Sequence, residues 1–325
     1  MAYDVFFYEA FAEEAELLKE YIPENIKAGF TWKTIQESGH DAPPAALIST
    51  RTQSQLPPEW APALTAILSR STGYDHLLAY REQILPRKVA FGYLPLYCHR
   101  AVAEQALLLW LALMRKLNLQ TNRFKTFTRD GLTGMENRGK TLSVFGVGNI
   151  GHEIVKIGYG LEMNVLGVDI VRRHSDVNYV DKDSAVAEAD VIVCAMNLTR
   201  DNVAYFDYSF LRNSKPGALF VNISRGEISP ATDLLRLVEE NHLGGVALDV
   251  YDQEKELAVA LRSGKRSDNP QVQAVLALAQ KENVILTPHN AFNTVESVRR
   301  KAKQSVEQTE SFLNQGRFKW PVPQE

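Results

Sequence analysis

The pattern of apolar and polar residues changes near residue 100 and divides the chain into two parts. The first part, residues 4–97, has short apolar runs and one helix-like stretch, which together predict a small α/β unit of its own. The strand-like runs lie at 5–8, 46–48 and 64–68, and the helix-like stretch lies at 13–21. Residues 101–117 then form an apolar run that is typical of a buried helix or one that covers an interface.

From residue 141 onward, strand-like runs alternate with helix-like stretches. The strands are predicted at 142–145, 164–168, 191–194, 218–223, 245–250 and 284–288. This alternation predicts a mostly parallel sheet with helices on both faces, so the fold class is α/β with a doubly wound sheet. A last helical stretch at 294–312 follows the complete sheet, and we expect it to return to the first part of the chain.

The stretch 142–169 contains the parts of a dinucleotide-binding β-α-β unit in the right order. Gly146 permits a tight turn after the strand, Gly148 lets the backbone approach a pyrophosphate, and Gly151 lets the helix pack close to the sheet. The helix start offers N–H groups and a positive dipole end to the phosphates. Asp169 ends the second strand, where a carboxylate binds the ribose 2′-hydroxyl. The sequence therefore predicts an NAD site.

Two arginines lie three and four residues after Asp169. The carboxylate would repel a 2′-phosphate, whereas Arg172 and Arg173 could tolerate one. NAD is therefore favoured over NADP, and tolerance of NADP stays open.

Composition narrows the possible partners. The 325 residues suffice for two domains, and the formal net charge of −3 gives no electrostatic case for nucleic acid. Cys98 and Cys194 are too few for a disulfide framework and show no metal-ligand spacing, so we expect a reducing, cytoplasmic setting and no metal. No apolar run reaches about 18 residues, and the N-terminus lacks the basic start of a secretory signal, so no membrane association is expected. The expected partner is a small molecule.

Three polar residues follow predicted strands in the second part: Arg225, Glu254 and His289. The carboxyl ends of parallel strands face the ligand crevice, so these side chains could converge. An arginine can bind the carboxylate of a 2-oxo acid at two points, a histidine can deliver a proton to the developing alkoxide, and a nearby carboxylate stabilises the protonated imidazole. Each residue also has an ordinary interpretation, as a surface ion pair, a solvated acidic loop or a loop histidine.

Several motifs in this order make the chain similar to the D-isomer-specific 2-hydroxyacid dehydrogenases. The motifs are SRSTGYDHL, AVAEQALLLWLALMR, GVGNIG, NISRGE, GGVALDVYDQE and VILTPHNAFNT. The resemblance implies that Arg225, Glu254 and His289 are the catalytic residues. It also implies a Rossmann NAD-binding domain at 101–289 and a smaller flavodoxin-like substrate domain formed from 1–100 and 290–325. Residues 101–117 resemble the helix through which family members form homodimers.

The same resemblance implies further contacts. The substrate is expected to contact backbone N–H groups around Thr72 and Gly73 and the side chains of Tyr97 and Phe292. The cofactor is expected to contact Asn149, Ile150, Ile223 and Asp249. The aromatic residue at 292 and the long stretch 255–282 resemble the D-lactate and D-2-hydroxyisocaproate branch, while Tyr97 and Phe292 could equally be core residues.

Two positions depart from the family pattern, and two alternative functions stay open. Lys255 and Asn197 stand where family members often have proline, and the second change affects a loop expected near the nicotinamide.

The same scaffold could act on phosphite, formate or a phosphorylated hydroxy acid, or serve as an NAD-sensing, corepressor-like regulator. Cations that could serve a phosphorylated substrate are Arg51, Arg70, His99 and Arg100. The presence of all three catalytic candidates favours the enzyme.

Overall fold

The computed structural model describes residues 2–264 and 266–323. The strands are β1 Val5–Phe7, β2 Ala28–Phe30, β3 Leu47–Thr50, β4 Ala66–Ser69, β5 Ala90–Gly92, β6 Thr141–Phe145, β7 Asn164–Val168, β8 Val191–Cys194, β9 Ala218–Asn222, β10 Leu243–Leu248 and β11 Val284–Leu286. The α-helices are α1 Ala12–Tyr21, α2 Ile35–Ser38, α3 Asp75–Gln83, α4 His99–Met114, α5 Leu117–Arg123, α6 Asn149–Gly160, α7 Lys182–Glu188, α8 Tyr208–Leu211, α9 Ala231–Glu239, α10 Glu254–Ser263, α11 Pro270–Leu278 and α12 Val295–Gln315.

The chain forms two compact units, and the first contains both chain ends. It comprises the residues up to Cys98 together with those from Asn293 onward. Its five strands are parallel in the order β2-β1-β3-β4-β5, which is the flavodoxin-like order. β1, β3 and β4 are buried along their whole length, as expected of parallel strands covered on both faces. The predicted flavodoxin-like fold, built from both chain ends, is confirmed.

A buried ion network ties the C-terminal helix into this first unit. Glu14 of α1 accepts a hydrogen bond from Arg70 Nε at 2.9 Å and pairs with Lys301 Nζ of α12 at 2.9 Å. All three side chains are at most 3% exposed. Arg70 also donates to Ser49 Oγ at 3.0 Å and to the carbonyl of Tyr8 at 2.6 Å. Helices α1 and α12 are therefore joined to each other and to the ends of β1, β3 and β4.

The second unit, His99–Phe292, is a doubly wound parallel sheet. Its strand order is β11-β10-β9-β8-β6-β7, so the order reverses between β6 and β8. In open α/β sheets, ligands bind outside the carboxyl ends of the strands at such a switch point. The buried core lies between the sheet and its helices, and α4 packs against α6 within this unit. The predicted Rossmann fold is confirmed, and the chemistry should be sought at the carboxyl edge of this sheet.

Across the described residues, no helix combines the length and the apolar character needed to cross a membrane.

Candidate active site

The loop after β9 carries Arg225 and is held by a buried asparagine. Asn222 is fully buried, and its amide donates to the carbonyl of Arg225 at 2.8 Å and to Ser229 Oγ at 2.8 Å. Its side-chain oxygen accepts from the backbone N–H of Ser224 at 2.9 Å. The half-buried Arg225 therefore projects from a rigid turn, and Asn222 acts as a positioning residue that the sequence analysis did not identify.

Gly226 brings this loop against the loop after β10. A Cβ built at Gly226 would lie 1.9 Å from the carbonyl carbon of Tyr251 and 2.0 Å from the nitrogen of Asp252. Contacts this short are impossible, so only glycine fits between the two loops. The approach places the turn that carries Arg225 beside the segment that leads into α10. The glycine of the NISRGE motif thus has a packing role.

Glu254 and His289 form a direct pair. Nδ1 of His289 lies 2.8 Å from Glu254 Oε2 and 3.1 Å from Oε1. Glu254 is the first residue of α10, and His289 follows β11 with a positive φ of 51°. The two side chains are 36% and 27% exposed, so the pair remains accessible to a ligand. Because Nδ1 faces the carboxylate, Nε2 is the ring nitrogen that is available to exchange a proton with a ligand.

Asp249 supports the loop that carries His289. It is fully buried at the end of β10 and accepts from Thr287 Oγ1 at 2.5 Å. The N–H groups of Asn290 and Ala291 also donate to its carboxylate, each at 2.9 Å. Burial raises the pKa of this carboxyl despite these hydrogen bonds. Asp249 is thus a positioning residue for the 287–291 loop, and its contact with the cofactor stays a prediction.

The glycine-rich turn between β6 and α6 has the shape required for a dinucleotide. Gly146 has a φ of +90°, and a Cβ there would lie 2.6 Å from the nitrogen of Met196. A Cβ on Gly151 would lie 1.9 Å from the carbonyl oxygen of Gly146, so the helix can approach the strand only through glycine. A Cβ on Gly148 would instead occupy open space, which fits a backbone that a pyrophosphate approaches. Asn149 and Ile150 open α6, where N–H groups have no intrahelical partner.

Asp169 follows β7 beside this turn. One oxygen of its carboxylate accepts from the N–H of Val147 at 2.6 Å and the other from the N–H of Val171 at 2.9 Å. The side chain is thereby fixed next to the glycine-rich turn while it stays partly exposed. The residues present therefore fit NAD, because a fixed negative charge at this position accepts hydrogen bonds from ribose hydroxyls and repels a 2′-phosphate.

Replacing Asp169 is expected to change the choice of cofactor. Asp169→Asn removes the charge but keeps an oxygen for one of the two backbone N–H groups, so the preference for NADH over NADPH should fall by about tenfold or more. The measurement is the ratio of kcat/KM for the two cofactors at saturating oxo acid. Arg172→Ala is the matched control. It removes the nearby cation that would favour a phosphate, so it should not lower the preference for NADH. An unchanged ratio in Asp169→Asn would contradict the ribose contact.

The substrate candidates of the first unit lie at the carboxyl edge of its own sheet. Ser71 Oγ donates to the carbonyl of Gly73 at 2.6 Å, and Thr72 Oγ1 donates to the carbonyl of Leu94 at 3.2 Å, so this turn is held tightly. Tyr97 is only 5% exposed, and burial raises its pKa well above the usual value. Substrate contact by Thr72, Gly73, Tyr97, and by Phe292 of the second unit, stays a prediction.

Three of the four cations considered for a phosphorylated substrate contact other side chains of their own unit. Arg70 is fully buried in the network with Glu14. Arg100 forms ion pairs with Glu104 at 2.7 Å and Glu153 at 3.5 Å, both within its own unit. The side chain of Arg51 lies over the ring of Phe11, with its guanidinium carbon 5.2 Å from the ring centre. These contacts give Arg70 and Arg100 structural roles.

The chain is similar to known proteins of one family. Residues 107–291, more than half of the chain, match the family described as D-isomer specific 2-hydroxyacid dehydrogenase, NAD binding domain. A D-lactate dehydrogenase of Staphylococcus epidermidis is 28% identical over 83% of both chains. The 2-hydroxyacid dehydrogenase A of Aspergillus oryzae is 30% identical over 78% of this chain and 73% of its own length.

Solved structures give the same result. The D-lactate dehydrogenase of Aquifex aeolicus, in complex with NAD and lactic acid, is 26% identical, with a TM-score of 0.85 over 98% of this chain and 100% of that one. A D-2-hydroxyisocaproate dehydrogenase shares the fold at 21% identity, with a TM-score of 0.82 over 98% and 99% of the two chains. The chain therefore belongs to the D-isomer-specific 2-hydroxyacid dehydrogenases and is an NAD-dependent oxidoreductase.

Proposed function

We propose that the chain reduces a small 2-oxo acid of the pyruvate type to the D-2-hydroxy acid, and catalyses the reverse reaction, with Arg225, Glu254 and His289 as the catalytic residues. The observation that carries this proposal is the His289–Glu254 pair, at 2.8 Å, at the carboxyl edge of an NAD-binding sheet. A paired imidazole at this edge is suited to exchange a proton with a substrate oxygen.

The reaction adds a hydride and a proton to one carbonyl group. The glycine-rich turn and Asp169 would hold NADH, which would supply the hydride when bound. His289 donates the proton from Nε2 to the carbonyl oxygen, while Glu254 accepts a hydrogen bond from Nδ1–H and stabilises the positive ring. Arg225 binds the substrate carboxylate at two points and polarises the carbonyl. In the reverse direction His289 takes up the hydroxyl proton.

The preferred substrate is proposed to have a small side chain. The D-lactate dehydrogenases among the similar proteins support this size class, and Phe292 is a candidate wall of the side-chain pocket. The test is kcat/KM for pyruvate, a branched 2-oxo acid and an aromatic one with purified protein and NADH. The proposal expects pyruvate to be used best, and a clear preference for the aromatic acid would contradict it.

Replacing Arg225 should weaken binding and slow turnover together. Arg225→Ala is expected to lower kcat/KM by about 10² to 10³-fold, because the carboxylate loses a two-point, charge-assisted partner. Arg225→Lys keeps the charge but loses the fork, so it should recover only part of the loss. Arg236→Ala is the control, because that arginine is 61% exposed in a surface pair with Glu240. Equal activity of Arg225→Ala and the control would contradict the assignment.

We also propose a cytoplasmic homodimer that uses α4 and the segment after it. Large apolar side chains are exposed there: Leu108 is 55% exposed, Phe124 75% and Phe127 71%. A second copy of the chain could cover this apolar surface and remove it from water. Light scattering coupled to gel filtration measures the mass directly. Twice the chain mass is expected, and a monomer at micromolar concentration would contradict the proposal.

A further inference from the structure

Three side chains that could bind a metal ion lie together in the second unit, and the proposed reaction uses none of them. His152 lies in the first turn of α6, and His174 and Asp176 lie in the loop after β7. One ligand atom from each residue lies within 4.8 Å of the other two. The sequence predicted no metal site, because more than twenty residues separate His152 from the other two and no short motif joins them.

The distances suit a bound cation. Nε2 of His152 lies 2.9 Å from Asp176 Oδ2 and 3.1 Å from Oδ1. Nε2 and Oδ2 lie 2.9 Å apart, so an ion about 2.1 Å from each of them would make a nitrogen–ion–oxygen angle of about 90°. The His174 ring stacks on that of His152, with centroids 3.7 Å apart and planes 12° apart. Because the two rings are nearly parallel, coordination by both requires His174 to tilt towards Asp176, and the exposed neighbours Arg173 and Ser175 leave room for this movement.

The surroundings keep these ligands close together. Tyr159, about two helical turns after His152, donates from its hydroxyl to the carbonyl of Asp176 at 3.0 Å. The loop is therefore already attached to α6 before any ion binds.

We propose that His152, His174 and Asp176 form a binding site for a divalent transition-metal ion. Two imidazoles and one carboxylate suit Zn²⁺, Co²⁺ or Ni²⁺, whereas Mg²⁺ and Ca²⁺ prefer oxygen ligands alone. Water completes the coordination on the exposed side. The ion cross-links the first turn of α6 with the loop after β7, the two segments that carry Gly151 and Asp169.

Calorimetric titration of the purified full chain with Zn²⁺, in buffer without chelators, tests this proposal. Wild type should bind one ion per chain with a micromolar dissociation constant, and Co²⁺ at the same site should show visible absorption bands. His174→Gln and His152→Gln should each weaken binding by about tenfold or more. His174 lies on a surface loop, so that variant should keep the wild-type melting temperature in the absence of metal.

Two control variants locate the binding site. His40→Gln removes an imidazole from the first unit, and His289→Gln removes the one that pairs with Glu254; both should bind Zn²⁺ as wild type does. The proposal is overturned if no saturable one-to-one binding occurs, if His174→Gln binds as tightly as wild type, or if only His289→Gln loses binding.

Discussion

Replacing His289 with glutamine is expected to abolish most turnover while cofactor binding persists. His289→Gln removes the proton donor, so kcat for 2-oxo acid reduction should fall by about 10² to 10⁴-fold, the usual effect of losing a general acid. Glutamine keeps a polar side chain beside Glu254. The loop after β11 should also keep its position, because its backbone N–H groups still donate to Asp249. Steady-state kinetics give kcat, and NADH fluorescence gives cofactor affinity in the same sample.

Two further variants separate the proton donor from its support. Glu254→Gln keeps a hydrogen-bond acceptor for Nδ1 but removes the charge, so its kcat should lie between those of wild type and His289→Gln. Asp252→Asn changes a nearby carboxylate that lies outside the pair and should behave as wild type. If His289→Gln kept wild-type kcat, the assignment of His289 as the acid would fail.

Replacing Glu14 with glutamine is expected to cause a large loss of stability. The change leaves Arg70 and Lys301 buried without their shared anion, and breaking a buried ion pair in this way costs about 3–5 kcal/mol. The measurement is urea unfolding at pH 7. Glu16→Gln, an exposed change on the same helix, is the matched control and should leave the midpoint unchanged. Equal midpoints for the two variants would contradict the role of the network.

This network also predicts how stability changes with pH. Burial alone would raise the pKa of Glu14, but the attraction of Arg70, Lys301 and Arg51 outweighs it and lowers the pKa from 4.5 to about 2. The contribution of Glu14 is therefore complete above pH 4.5 and is lost as the pH falls towards 2. For Lys301, burial outweighs the attraction of Glu14 and lowers the pKa from 10.5 to about 8, so stability from this group rises between pH 8 and 10.5. Unfolding curves of wild type and Glu14→Gln across the acid range test the first effect.

The fold class was predictable from the sequence because the signals of the second unit lie close together along the chain. The strand, the three glycines and Asp169 lie within one continuous stretch, and the structure places each as the motif requires. β2 and β5 escaped prediction because each has only three residues, including a glycine, and carries no periodic signal. Such strands are defined by their neighbours in the sheet.

The site was predictable only in part. The contact between Glu254 and His289 agrees with the expectation that strand ends converge, although 35 residues separate them. The close approach of Gly226 to Tyr251 and the cluster at His152 were missed, since each depends on contacts between distant segments. Asn222 was missed because its burial is set by the neighbouring strands β8 and β10. A buried Arg70 likewise looks the same in sequence as an exposed one. The catalytic roles themselves stay predictions until variants are measured.

The most direct test of the central claim is the loss of NADH absorbance with purified protein and pyruvate, followed by chiral analysis of the product. The account predicts NADH consumption matched one-to-one by D-lactate in wild type, with almost none in His289→Gln. Formation of the L-isomer, or NADH binding without turnover of any 2-oxo acid, would contradict it.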